Sequence, residues 1–241
     1  MTKSAQYYSA LTKTLADINA TQGEKISFVA EKVARTIVDD GIIYVFGCGH
    51  SHLIAGDVFY RAGGLANVCA MLDTDLMLHN GAAKSSAFER MEGLAEHIYR
   101  RYNPTEKDCL FVISSSGINS VPVEMATIGR KHGVFTTAIC SSAYFDKESR
   151  HSSGKLLYQC ADVYLDNCVP CGDAVVEIGE IKMGAVSTAA SSLLLNSVLL
   201  EAADIASKST EVPIYKSGNI KGGSEYNKQL IDRYIPRIKH L

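Results

Sequence analysis

Residues 42–46 read Ile-Ile-Tyr-Val-Phe, five apolar positions with no polar break. A strand wet on one side alternates apolar and polar residues. One that is apolar throughout is covered on both faces, as in a parallel sheet between two layers of helices. Further candidate strands, largely apolar, lie at 67–72, 109–113, 134–140 and 161–165. Between these runs the period changes to that of a helix. Tyr8, Leu11, Leu15 and Ile18 fall on one helical face, Thr21-Gln22-Gly23 interrupts, and Ile26, Val29, Val33 and Ile37 resume the period. Further helices are predicted over 86–102, from Asn119 or Ser120 (the cap) through Pro122 to Gly133, and from Ser187 to about Ala206. Strands alternating with helices imply right-handed crossovers. The expected fold is therefore α/β, a three-layer αβα arrangement around a doubly wound, five-stranded parallel sheet with an N-terminal helical extension.

The chain has 241 residues, enough for one domain with a sizeable core. The chain is expected to divide into helices over 1–40, an α/β core over 41–210 and a polar tail over 211–241. A net charge of −2 disfavours a nucleic-acid surface. The most apolar segment, 191–206, is interrupted by Asn196, Glu201 and Asp204, so a buried core helix is expected rather than a membrane span. The first twenty residues lack the apolar centre of a secretory leader. The seven cysteines are therefore expected as reduced thiols in a cytoplasmic protein.

In an open parallel sheet, ligands bind beyond the carboxyl ends of the strands. Three such positions carry small hydroxyl residues: Gly47-Cys48-Gly49-His50-Ser51, then the 114–120 stretch Ser-Ser-Ser-Gly-Ile-Asn-Ser, then Ser187-Thr188. Glycine lets the backbone approach an anion, the first amides of the next helix point at it, and hydroxyls add neutral donors. Such loops suit a phosphate held without metal or lysine. No Gly-Lys-Ser/Thr follows, which excludes a Walker loop, and no third glycine completes a dinucleotide fingerprint.

Gly-Cys-Gly-His-Ser after the first strand, with Ser-x-Ser-Gly-x-Asn after the third, resembles the sugar isomerase (SIS) domain family. The runs FYRAGG at 59–64, ERMEG at 89–93, SRHSSGK at 149–155 and SGNIKGG at 217–223 are similar to those of a group of bacterial SIS-domain proteins. The resemblance covers nearly the whole chain and implies phosphosugar binding through the second loop. Carried over by position, it implies Ser114, Ser115, Ser116 and Asn119 as the phosphate loop, with Asn119 where a threonine is common. Gly49 and Ser51 would face the sugar, and Ser187 or Thr188 would close the site. It also implies a site completed by a second subunit, with the N-terminal helices joining a homodimer or homotetramer.

Aldose–ketose isomerisation moves a proton between adjacent carbons, which needs a base, with an acid assisting ring opening. The resemblance implies a glutamate on the helix after the first loop, where this chain has Asp57. Glu89 is the other candidate base, with Glu92 on the same predicted helix, and His79 is a candidate for ring opening. The segment around Glu92 is also similar to one in muramic acid phosphate etherases. Arg61 and Lys155 are candidate partners for substrate charge. His151 lies in the longest irregular stretch, 144–155, and Asp166, Asn167 and Asp173 follow the fifth strand. Cys48, His50 and His52 lack an evident third ligand, and Cys168 and Cys171 lack a second pair, so no metal or cofactor is expected. The expected function is isomerisation of a phosphorylated sugar or amino sugar through an enediol. Lyase or etherase chemistry and a non-catalytic phosphosugar sensor are the alternatives.

Overall fold

The structure, a computed structural model, describes all 241 residues. Two helices open the chain, α1 (Lys3–Thr21) and α2 (Gly23–Val38). The core alternates β1 (Ile43–Gly47), α3 (Ser51–Val58), β2 (Val68–Ala70), α4 (Ala82–Phe88), α5 (Leu94–Tyr102), β3 (Cys109–Ile113), α6 (Ser120–Lys131) and β4 (Phe135–Cys140). The short α7 (Leu157–Cys160), β5 (Val163–Asp166), the hairpin β6 (Ala174–Ile178) and β7 (Ile181–Ala185), α8 (Ser187–Ser207) and α9 (Gly223–Tyr234) complete it. The five-stranded sheet is parallel throughout, in the order β2-β1-β3-β4-β5.

Alternate side chains of the strands divide the core in two, as the period of a strand requires. Ile43 and Val45 of β1, with Phe111 and Ile113 of β3, face a layer built by α2, α3 and α8. Tyr44 and Phe46, with Leu110 and Val112, face α5, α6, α7 and the C-terminal segment. This is the expected three-layer arrangement. The helix α8, long and apolar enough to span a membrane by composition, instead buries Leu194, Leu195, Val198 and Ala202 against α2 and the sheet.

Three expectations need correction. The predicted helix over 86–102 is two helices, because Gly93 takes a left-handed conformation (φ 86°) and the chain turns between α4 and α5. That turn takes Glu89 and Glu92 out of the helix, with Glu89 half-buried and Glu92 exposed. The 211–241 segment is no loose tail. It forms α9, and Tyr215, Tyr234 and Ile238 sit in the core. Residues 174–185, where no strand is expected, form a hairpin closed by Gly179 and Glu180 between the paired Ile178 and Ile181.

Candidate functional site

The chain leaves β1 toward β2 on one side, then returns to place β3 on the other. Beyond β1 and β3 the two connections diverge and open a crevice, the place where sheets of this order bind ligands. The two loops of interest leave those two strands.

The first loop turns tightly. A Cβ at Gly47 would lie 2.6 Å from the Ser51 backbone, so only glycine fits where the loop folds back on α3. The Gly49 amide donates to Leu76 O (2.9 Å), tying the loop to the segment after β2. The buried His52 ring meets Gly49 O through Nδ1 (2.6 Å). Gly49 O can only accept, so Nδ1 carries the proton. His50 is exposed, so the two histidines do not converge. His79 lies exposed in the 3-10 turn Leu78–Asn80, its ring centroid 5.9 Å from that of His52.

In the second loop, Ser114 Oγ accepts from Gly117 N (3.2 Å) and Ser115 Oγ accepts from Asn167 Nδ2 (3.0 Å). Asn167 is fully buried and also donates to Ser191 Oγ (3.0 Å), so Ser115 belongs to the scaffold. The half-buried Ser116 hydroxyl and the amides of Ser116, Ile118 and Asn119 have no partner within the chain. These are the donors open to an anion.

Asn119 begins α6 without capping it. Its Nδ2 donates to Glu89 Oε1 (2.6 Å), and its Oδ1 accepts from Arg150 Nη1 (2.7 Å). This amide orientation is the one the partners demand, since a flip would set NH2 against a guanidinium that has only donors. Burial raises the Glu89 carboxyl above the usual carboxylate range, with Arg90 and Arg150 opposing. The same carboxyl, after burial itself, helps to push the Cys48 thiol well up. Glu89 therefore stands between the first loop and the second.

Asp57 occupies different surroundings. It pairs with Arg61, three residues past the end of α3, and accepts from Ser192 Oγ of α8 (3.1 Å). With Thr188 it lines a depression of about 470 Å³ between α1, α3 and α8. It follows Ser51 by six residues, about 9 Å along a helix. Asp57 and Glu89 share no partner, so the structure does not bring these two candidate bases together. Ser187 is likewise committed, its hydroxyl donating to Asp173 Oδ2 (2.6 Å).

Segment 144–155 lies against the second loop. Arg150 N donates to Ile118 O (2.8 Å), Ser120 Oγ donates to Arg150 O (3.3 Å), and Leu157 N donates to Gly117 O (2.9 Å). Glu92 accepts from Ser152 N (2.6 Å) and Oγ (2.8 Å), which lowers its pKa. His151 Nε2 lies 3.6 Å from Glu124 Oε1. Ligand atoms of Glu92, Glu124 and His151 lie within 4.8 Å of one another. His151 Nδ1, however, accepts from Ser153 N (3.2 Å), so in the neutral ring Nε2 carries the proton toward Glu124. The trio acts as a tether for the segment. Lys155 is exposed and makes no ion pair, and Cys168 and Cys171 are free thiols. Sequence reasoning missed Arg150, although the irregular length of 144–155, His151, Lys155 and the resemblance of the 149–155 run all pointed to this segment.

The SIS domain family matches residues 6–141. The chain belongs to that family. It is 41% identical to the UPF0309 protein TTE0306 of Caldanaerobacter subterraneus over 98% of each chain. Among solved structures, phosphoheptose isomerase GmhA from Neisseria gonorrhoeae aligns with a TM-score of 0.53 at 14% identity, covering 84% of this chain and 96% of its own. The Vibrio vulnificus NanR protein complexed with ManNAc-6P aligns with a TM-score of 0.51 at 15% identity, covering 97% and 69%. At these identities the likeness is one of fold.

Proposed function

We propose that the protein binds a phosphorylated sugar or amino sugar in the β1/β3 crevice and interconverts its aldose and ketose forms. The observation that carries this reading is the Glu89–Asn119 hydrogen bond. It holds a half-buried carboxyl beside a turn whose hydroxyl and amides have no partners. The phosphate sits on the Ser116 hydroxyl and the amides of Ser116, Ile118 and Asn119. Ser51 faces the sugar. Glu89, as carboxylate, removes the proton from the carbon beside the carbonyl, giving an enediolate. The hydroxyl proton of the enediolate passes to the former carbonyl oxygen and the carboxylic acid returns its proton to the former carbonyl carbon, which exchanges aldose for ketose with no net loss of atoms. Burial favours this cycle, because a raised pKa strengthens the base. His79 at the rim assists ring opening. Asp57, neutralised by Arg61, is outside the cycle. Kinship with the SIS family and a fold shared with a phosphoheptose isomerase support the reading.

The test is proton NMR of hexose, pentose and amino-sugar phosphates in deuterated water. Wild type is expected to erase the signal of the proton beside the carbonyl for at least one substrate, and Glu89→Gln to leave it intact. Binding without exchange turns the reading into that of a sensor, and a product split in two turns it into a lyase. We assign the protein to the cytoplasm and to a homodimer or homotetramer joined through α1, whose Tyr8 is exposed. Sedimentation of a Tyr8→Asp variant tests that assembly, and equal mass for variant and wild type refutes it.

A further inference from the structure

Arg150 is held against the second loop at three points: its amide on Ile118 O, its carbonyl under Ser120 Oγ, and its Nη1 on Asn119 Oδ1 (2.7 Å). No other lysine or arginine side chain is hydrogen-bonded to residues 114–120. A guanidinium offers five N–H donors in a planar fork, and Asn119 takes one. The others have no acceptor in the chain, and Arg150 forms no ion pair. The nearby carboxylates are committed elsewhere: Glu124 to Gly93 N and His151, Glu92 to Ser152, and Glu89 reached only through Asn119. Arginines that merely anchor a loop commonly end on a carboxylate, where the charge is offset. This one ends on a neutral amide, beside backbone amides that also lack acceptors.

An exposed cation that forms no ion pair, next to backbone N–H donors without acceptors, forms an arrangement that an anion completes. We propose that Arg150 is the phosphate-binding cation of this site and sets the preference for a phosphorylated over an unphosphorylated sugar. The proposal rests on the phosphosugar reading above and adds the residue that recognises the dianion. Position and charge argue together. The segment is pinned through Ser152 on Glu92, His151 beside Glu124, and Ser149 Oγ on Lys155 O (2.7 Å). The guanidinium is therefore in place before the ligand arrives, and little ordering remains to be done on binding. It bonds the oxygen of the same Asn119 amide whose nitrogen bonds Glu89, and its charge already opposes the rise in the Glu89 pKa. A phosphate there is neutralised by Arg150 instead of repelling the carboxylate that must receive the proton.

The experiment follows the amide signals of residues 114–120 by heteronuclear NMR during titration with inorganic phosphate. In parallel, calorimetry measures a sugar phosphate that binds wild type and its unphosphorylated counterpart. Arg150→Met is expected to weaken binding of inorganic phosphate and of the sugar phosphate at least tenfold, leaving the unphosphorylated sugar within twofold. Arg150→Lys should recover part of the loss. Arg150→Gln keeps a donor for Asn119 Oδ1 but lacks the charge, and it carries the test should the Met variant disturb the fold. Wild-type phosphate affinity in the Gln variant overturns the proposal. Should wild type itself show no shift at 114–120 with inorganic phosphate or any sugar phosphate, the phosphosugar reading fails and the role of Arg150 with it.

Discussion

The Asp173 carboxylate sits across the first turn of α8. Its Oδ2 accepts from Ser187 Oγ (2.6 Å), and its Oδ1 accepts from Ser187 N (2.8 Å) and Val186 N (2.9 Å). Of the three hydroxyl-bearing ends that the sequence offers to an anion, this one is filled by an anion of the chain itself. A carboxylate there satisfies amides that have no helical partner and opposes the positive end of the helix. That leaves the crevice between β1 and β3 as the place for an external anion.

Asp173→Ala therefore destabilises the fold without touching the second loop. Loss of a charged cap with three hydrogen bonds costs about 2 kcal/mol. For a chain of this size that lowers the melting temperature by roughly 4–8 °C. Ser187→Ala removes one neutral donor and costs about 1 kcal/mol. Calorimetric melting of both variants checks the order, and a Ser187 loss equal to that of Asp173 would contradict this account of the cap.

Glu89 gives stability a pH dependence of known sign. Burial raises its pKa in the fold, so the folded state binds this proton more tightly than the unfolded chain does. Its contribution is then fully present below the unfolded value and is lost as pH rises through the folded value. Relative to Glu89→Gln, which cannot titrate, wild type should lose stability on going from about pH 4 to about pH 7. Urea unfolding of both proteins across that range measures the difference. Stability curves that run parallel would mean that burial does not act on this carboxyl.

What the sequence reveals follows from which forces are local. The largely apolar runs disclose five strands because a sheet covered on both faces leaves few polar positions, and Pro122 in the first turn with Gly133 just past the end marks α6 because such signals act within a few residues. The break at Gly93 escapes, since 86–102 keeps its helical period while one left-handed glycine turns the chain. Glu89 meets Asn119 across 30 positions, and Arg150 meets it across 31. No spacing rule reaches so far. The α9 segment looks polar because only Tyr234 and Gly223 of it are buried, too few to make a stripe.

Gly117 is the position of the second loop least tolerant of a side chain. It has φ 62°, and an added Cβ would lie 3.1 Å from Leu157 Cβ. Gly117→Ala is expected to cost about 1–2 kcal/mol for the left-handed conformation alone. It should also push the loop from Leu157, shifting the amide signals of 114–120 and weakening phosphosugar binding. Unchanged amide signals at 114–120 would mean that the loop accepts the methyl without moving.

The C-terminal segment is part of the core, and Tyr234 measures its share. The side chain is 1% exposed, and its hydroxyl donates to Asp40 Oδ1 (3.3 Å). Asp40 also receives Arg233 Nη2 (2.8 Å) and Arg237 Nη1 (3.0 Å), so a single turn residue anchors the end of the chain. Tyr234→Ala should cost about 3–5 kcal/mol through the cavity it leaves. Tyr234→Phe keeps the packing and should lose about 1 kcal/mol or less. Denaturant titration separates the two, and equal losses would shift the weight from packing to the hydroxyl.

Thiol chemistry can report motion of the first loop. Cys171 is exposed, Cys168 is half-buried and the other five cysteines are buried. Alkylation of the native protein should label Cys171 quickly and Cys168 slowly, because burial raises the Cys168 thiol. Cys48 lies beneath the Gly49 turn with its thiol pushed well up by burial and by Glu89, so it reacts only when the turn lifts from Leu76. A ligand seated on Ser51 and the second loop holds that turn down. Mass spectrometry of timed labelling should then show Cys48 protected further by a bound sugar phosphate while Cys171 is unaffected. Protection of Cys171 with Cys48 unchanged would place the ligand beyond β5, away from the β1/β3 crevice.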